Sequence, residues 1–237
     1  MSFGLQQQDP MSSIDLERER QRLALDKLSL PRFAGRESSR PFVVALEGPN
    51  AAGKTTLGRA LSKTLGVRFV LGTDEAWFSE PFKARMIRDA EWHASAMFFL
   101  SGCFEQMRLL QVLPDPLIVM DRSIWSTLAV HAAESAERLE ALIAMLRPVA
   151  GRIRIPDLTL VLEASFAICQ SRMANKTGMA RALDELTATS AFHVKEQEFY
   201  QWLGRRNPSL VFINVDHRTA DEVTKKAVAL IREKIPC

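Results

Sequence analysis

Cysteine is scarce in this chain, and its few positions do not pair by spacing. Cys103, Cys169 and Cys237 are far apart and form no CxxC motif, which leaves out a disulfide framework and a zinc site. That usage fits a reducing, cytoplasmic setting. Charge of one sign is also scarce. The 31 Lys and Arg against 28 Asp and Glu leave a formal net charge of +3, too slight for the electrostatic footprint of a nucleic-acid binder. No uninterrupted apolar run approaches the roughly 18 residues that a membrane-spanning helix needs. The N-terminus lacks a basic region followed by an apolar stretch and a cleavage site. A soluble, unprocessed chain with neither membrane nor nucleic acid as partner is therefore expected. There is no internal repeat.

What is present is 237 residues with a 47% hydrophobic share, enough for one well-packed α/β domain. Residues 1–40 read as a polar leader with a short amphipathic helix carrying Ile14, Leu16, Leu23, Leu25, Leu28 and Leu30. That helix either packs on the domain, lies half-ordered or serves as a dimerisation arm. From residue 41 onward, short apolar runs alternate with longer helical stretches, the pattern of a parallel sheet flanked by helices. The runs are Phe42 to Leu46, Val67 to Leu71, Leu117 to Met120, Leu158 to Leu162 and Leu210 to Val215. The spacing predicts helices over Lys54 to Leu65, Pro81 to Gln111, Ser123 to Leu146, Ser165 to Ala174, Leu183 to Leu203 and Ala220 to Lys234.

Directly after the first run stands Gly48-Pro49-Asn50-Ala51-Ala52-Gly53-Lys54-Thr55-Thr56, which matches GxxxxGK(S/T) in the strand-to-helix setting that the motif requires. Such a loop wraps backbone N–H groups around an anion, and the following helix aims its positive end at the charge. Gly48, Asn50, Ala51, Ala52, Gly53, Lys54, Thr55 and Thr56 are thus the expected nucleoside triphosphate cradle. Lys54 is expected to reach the β- and γ-phosphates of the nucleotide and Thr55 to ligate Mg²⁺. The third run delivers Asp121-Arg122-Ser123 at its carboxyl end, the edge of an open α/β sheet where ligands sit. Asp121 is a candidate metal ligand or proton acceptor, and Arg122 offers a planar fork for phosphate. The plainer alternative is a strand-end Asp capping the next helix, with the Arg in solvent.

With these elements the sequence resembles the thymidylate kinase family and, more distantly, the deoxynucleoside kinases. The matching segments are Phe42 to Leu61, Val119 to Ser123 continuing into Ser126-Thr127-Leu128-Ala129, Pro156 to Leu162, and Phe192 to Leu203. They cover roughly two thirds of the chain in the family's order. The resemblance implies a five-stranded parallel core of the nucleoside monophosphate kinase-like P-loop type, ATP with Mg²⁺ as phosphoryl donor, and a nucleoside or nucleotide acceptor. It also implies a lid after the fourth strand, around residues 172–182, where Arg172, Lys176 and Arg181 are the candidate cations. A homodimer through the long third and fourth helices is implied as well.

Two segments depart from the thymidylate kinase pattern. In place of an arginine and a Pro-Gly-Gly segment after the second strand stands Gly72-Thr73-Asp74-Glu75-Ala76-Trp77-Phe78. Phe99 to Phe104 stands where the family presents an arginine to the base. An acid close to Trp77 and Phe78 combines a general base with a stacking surface, so Asp74 and Glu75 join Asp121 as candidate bases. Arg85, Arg88 and Arg108 are candidate cations for a phosphate acceptor, Trp92 and His93 candidate pocket residues. The expectation is a Mg-ATP-dependent phosphotransferase acting on a nucleoside or nucleoside monophosphate. The alternatives are a kinase for a non-nucleotide metabolite, a non-catalytic ATP-binding regulatory module, and a nucleic-acid-end kinase, which would prefer a more basic channel. No NKxD motif marks a guanine reader.

Overall fold

The computed structural model describes residues 12–37, 40–72, 79–175 and 189–235. Among these residues five strands, numbered β1 to β5 in chain order, form one parallel sheet in the order β2-β3-β1-β4-β5. They are β1 (Phe42–Glu47), β2 (Arg68–Val70), β3 (Leu117–Asp121), β4 (Leu158–Glu163) and β5 (Leu210–Asn214). Every residue of β1 and β3 is buried, as expected of central strands covered on both faces. Alternation then sorts their side chains between two layers. Val44, Leu46, Val119, Leu160 and Leu162 pack on one face with helices α2 (Lys54–Leu65), α7 (Phe166–Ala174) and α9 (Ala220–Lys234). On the other face Val43, Ile118 and Met120 meet Leu110 of α4 (Trp92–Val112). Val161 and Leu210 on that side meet α5 (Ile124–Glu134), α6 (Ala136–Leu146) and α8 (Ser190–Gly204).

Two long helical stretches are each broken once. The first divides into α3 (Glu80–Arg88) and α4, where the Glu91 carboxylate accepts from the His93 amide at 2.9 Å and so starts a new helix. The second divides at Ser135, whose backbone is extended (φ −162°, ψ 155°) and whose hydroxyl caps α6 by accepting from Arg138 N. The helix expected from Leu183 begins at Ser190, and residues 183–188 lie outside the described residues.

Helix α1 (Ser13–Asp26) lies against α8. Leu25 is fully buried in the same cluster as Trp125, Phe199 and Trp202, and the Gln21 amide donates to Ala132 O at 2.8 Å. Ion pairs Arg18–Glu198, Lys195–Glu17 and Arg206–Asp26 line the seam. Downstream, Phe33 meets Trp125 edge-on at 5.4 Å, and Ala34 bridges to Arg154. Truncation of Leu25 to alanine therefore opens a cavity in the main core and is expected to cost about 2–5 kcal/mol in urea unfolding. Leu23→Ala, on the exposed face of the same helix, is expected to cost no more than about 0.5 kcal/mol. Equal effects would mean that α1 is not seated in solution as described.

At the opposite, N-terminal edge of the sheet, Asp157 Oδ2 accepts from Val43 N at 2.8 Å and from Arg154 Nη2 at 2.6 Å. Arg154 Nη2 also reaches Pro41 O. This pair is half-buried and structural, and it leaves the carboxyl edge of the sheet free for chemistry.

Candidate functional site

The carboxyl ends of β1 and β3 lie side by side, with Leu46 in register with Asp121. This register brings the two sequence motifs together. After β1 the loop turns through Gly48 at φ +118° and Gly53 at φ +106°, conformations that glycine adopts at little cost. At Gly48 a side chain is also excluded by space, since a Cβ there would lie 2.4 Å from Leu162 O of β4. Ala51 takes the left-handed region too, at φ 63°. α2 then begins at Lys54, which puts the N-terminal end of a 12-residue helix beneath the loop, an arrangement suited to an anion.

Lys54 is buried, and its Nζ donates to the Gly48 and Pro49 carbonyls at 2.7 Å each. Burial first, and then Arg122, depress its pKa to about 8 against the pull of Asp121, Glu196 and Glu47. Thr55 Oγ1 donates to Asp121 Oδ2 at 2.6 Å, while Asp121 Oδ1 is buried with no hydrogen-bond partner among the described residues. A hydroxyl and a carboxylate oxygen meeting in this way form half of a hard-cation site. Arg122 follows with a left-handed backbone (φ 70°), its Nη2 2.5 Å from Asn50 Oδ1 of the phosphate loop and its Nη1 3.0 Å from Ser126 Oγ. Arg172, in the last turn of α7, donates to Ala52 O at 2.9 Å and reaches Val215 O at 3.5 Å. It thus joins the phosphate loop to the end of β5.

Of the other sequence candidates, Asp74, Glu75, Trp77 and Phe78, together with Lys176 and Arg181, lie outside the described residues. Gly72, the last described residue before the first of these groups, is pressed against the site: a Cβ there would lie 2.4 Å from Asp121 O and 3.3 Å from Arg122 Cβ. Its carbonyl accepts from Gln106 Nε2 at 3.0 Å. Arg108 is held by Glu105 on the exposed side of α4. Trp92 packs on the core beside His131, and His93 binds Glu91 at the helix entrance.

Three residues that the motifs did not single out complete the site. Glu47, the last residue of β1, is fully buried and accepts from Ser123 N, Ser123 Oγ, Ser126 Oγ and Tyr200 Oη. Burial raises its pKa, and the Ser123 and Ser126 hydroxyls oppose the shift. Tyr200 and Glu196 lie one turn apart on α8, both buried. One turn before Glu196, His193 donates to Ala164 O just past β4, which keeps this face of α8 over the sheet edge. Burial also raises the pKa of Glu196, which feels Lys54 and Arg122 as opposing cations. The sequence offered one cue to this cluster, an acid ending an otherwise apolar strand directly before the loop glycine.

A family model described as deoxynucleoside kinase matches residues 44–235. Among curated proteins, the probable thymidylate kinase of Metallosphaera sedula is 26% identical over 167 residues, covering 69% of this chain and 80% of that one. The solved thymidylate kinase of Candida albicans superposes with a TM-score of 0.64 at 19% identity, covering 83% of this chain and 93% of that one. For the deoxyadenosine kinase of M. mycoides with bound dATP the TM-score is 0.63 at 15% identity, with 81% and 99% covered. At these identities the structural likeness is one of fold: the five-stranded parallel sheet flanked by helices of the P-loop kinases. The family match itself runs from β1 through the phosphate loop and the Asp121-Arg122-Ser123 turn to the end of α9, so the chain belongs to the deoxynucleoside kinase family, a thymidylate kinase-like group of nucleoside and nucleotide kinases.

Proposed function

We propose that this chain transfers the γ-phosphoryl group of Mg-ATP to a nucleoside or a nucleoside monophosphate. The observation that carries the reading is the junction of the two strand ends. Thr55 meets Asp121 at 2.6 Å while Arg122 reaches Asn50 of the phosphate loop. A phosphate seated on the loop amides would have the Lys54 ammonium and the Arg122 guanidinium as nearby cations, the charge stabilisation that phosphoryl transfer uses.

Thr55 Oγ1 and Asp121 Oδ1, which has no partner among the described residues, fit Mg²⁺, which is held through one or two protein oxygens plus substrate phosphates. When bound, the ion would neutralise charge on the donor's phosphate oxygens. Arg172 buttresses the phosphate loop through Ala52 O and, with Arg181, is the proposed source of cations from the segment after β4. Asp74 or Glu75 is the proposed base for a hydroxyl acceptor; Gly72, two positions before Asp74 in the chain, packs on Asp121 and Arg122.

The relatives supply both acceptor types: the curated relative is named a probable thymidylate kinase, and one structural neighbour is a deoxyadenosine kinase. A hydroxyl acceptor requires proton removal, whereas an acceptor phosphate is already ionised and requires cations. The test is ADP release from ATP and Mg²⁺ against separate nucleosides and nucleoside monophosphates, with Lys54→Ala as blank. Turnover above the blank on one of the two sets is expected, and the set identifies the acceptor. Silence on both would overturn the reading in favour of a non-nucleotide acceptor or a regulatory module.

A further inference from the structure

We propose that Glu47 is the positioning residue for Arg122: its carboxylate fixes both the backbone turn and the guanidinium with which Arg122 meets the transferring phosphate. This rests on the role of Arg122 given above. A non-glycine residue in the left-handed region, such as Arg122 at φ 70°, is strained and persists only where its surroundings hold it. Here two successive amides are tied to β1: Arg122 N donates to Leu46 O at 3.0 Å, and Ser123 N donates to Glu47 Oε1 at 2.7 Å. The side chain is tied through the same carboxylate. Arg122 Nη1 donates to Ser126 Oγ, and the Ser126 hydroxyl in turn donates to Glu47 Oε2.

Tyr200 Oη closes the cluster from α8 at 3.0 Å. Both carboxylate oxygens thus accept from protein donors, and Glu47 has no solvent exposure. It acts through Arg122 and does not touch substrate itself. A buried carboxylate is costly, and an apolar side chain would hold two strands together more cheaply. What it adds is orientation, because hydrogen bonds from fixed donors define the direction of the guanidinium fork.

The test is a double-mutant cycle on the full chain, with kcat and KM for ATP measured on the acceptor that the screen identifies. Glu47→Gln keeps the size and a carbonyl for Ser123 N but replaces the second acceptor oxygen by an amide donor. It is expected to lower kcat by about tenfold to a hundredfold, the scale of a misplaced group, with KM for ATP changed less than about threefold. In the Arg122→Ala background the same substitution is expected to change kcat by less than about threefold, since both changes remove one interaction.

Losses that multiply across the two backgrounds would overturn the inference while leaving Arg122 catalytic, and full turnover by Glu47→Gln would do the same. Full turnover by Arg122→Ala would instead remove the role assigned to Arg122 and the inference with it. If Glu47→Gln fails to fold, Tyr200→Phe and Ser126→Ala each withdraw one donor from the carboxylate. Smaller kcat losses that vanish in the Arg122→Ala background support the inference, and losses that persist there overturn it.

Discussion

Lys54→Ala is expected to lower turnover by on the order of a thousandfold or more while the protein stays folded. The side chain contributes little to the core. Its ammonium is parked on the Gly48 and Pro49 carbonyls, a position from which it can swing to phosphate without moving backbone. Burial has pushed its pKa down to about 8, so holding the cation there costs folding energy. Alanine removes that cost and leaves two loop carbonyls to water or to neighbouring donors. These effects oppose each other, and a melting temperature within a few degrees of wild type follows. Circular dichroism, thermal melting and ADP release on the same preparation check it. A folded variant that retains activity within tenfold of wild type would show that the loop does not carry the chemistry. An unfolded one would mean that Lys54 holds the loop, and the conservative Lys54→Arg variant would then separate charge from shape.

How much of this site was legible in the sequence depended on how local each interaction is. The phosphate loop was, because a strand, glycines at fixed spacing and a helix beginning at Lys54 all fall within a dozen residues or so. Strands β1, β3 and β4 were placed within a residue of their observed ends, since buried parallel strands read as continuous apolar runs. The two helix breaks were not foreseen, because neither Asp89-Ala90-Glu91 nor Ser135 contains proline or glycine. A side-chain cap decided each start. Glu47 escaped for another reason. Its partners Ser123, Ser126 and Tyr200 stand 76, 79 and 153 positions away, and only the strand register and the seating of α8 bring them to one point. Helix α1 had an amphipathic pattern, yet no pattern states which surface will cover Leu25. Here α1 packs on α8 behind the face that carries Glu196 and Tyr200, so the start of the described chain braces a wall of the site from outside.

Arg122→Ala is expected to damage catalysis more than donor binding. The loop amides and Lys54 remain to seat ATP, so KM for ATP should move less than about threefold, while kcat falls by about a hundredfold or more for loss of a fixed cation on the transferring group. The geometry supports this split. Arg122 enters from β3, a different strand from the one that feeds the loop, and meets it at Asn50 Oδ1. Its half-buried guanidinium is aimed across the loop by Ser126. Arg122→Lys keeps the charge but loses the fork, and a point charge cannot satisfy Asn50 and Ser126 together. It should therefore recover only part of the lost kcat. Steady-state kinetics with ATP varied at saturating acceptor, and then acceptor varied at saturating ATP, read the two halves separately. Preserved kcat with weakened ATP binding would assign Arg122 to the donor. Preserved kcat with a raised KM for acceptor would make it an acceptor anchor, and the fixed turn behind it would then serve recognition in place of transfer.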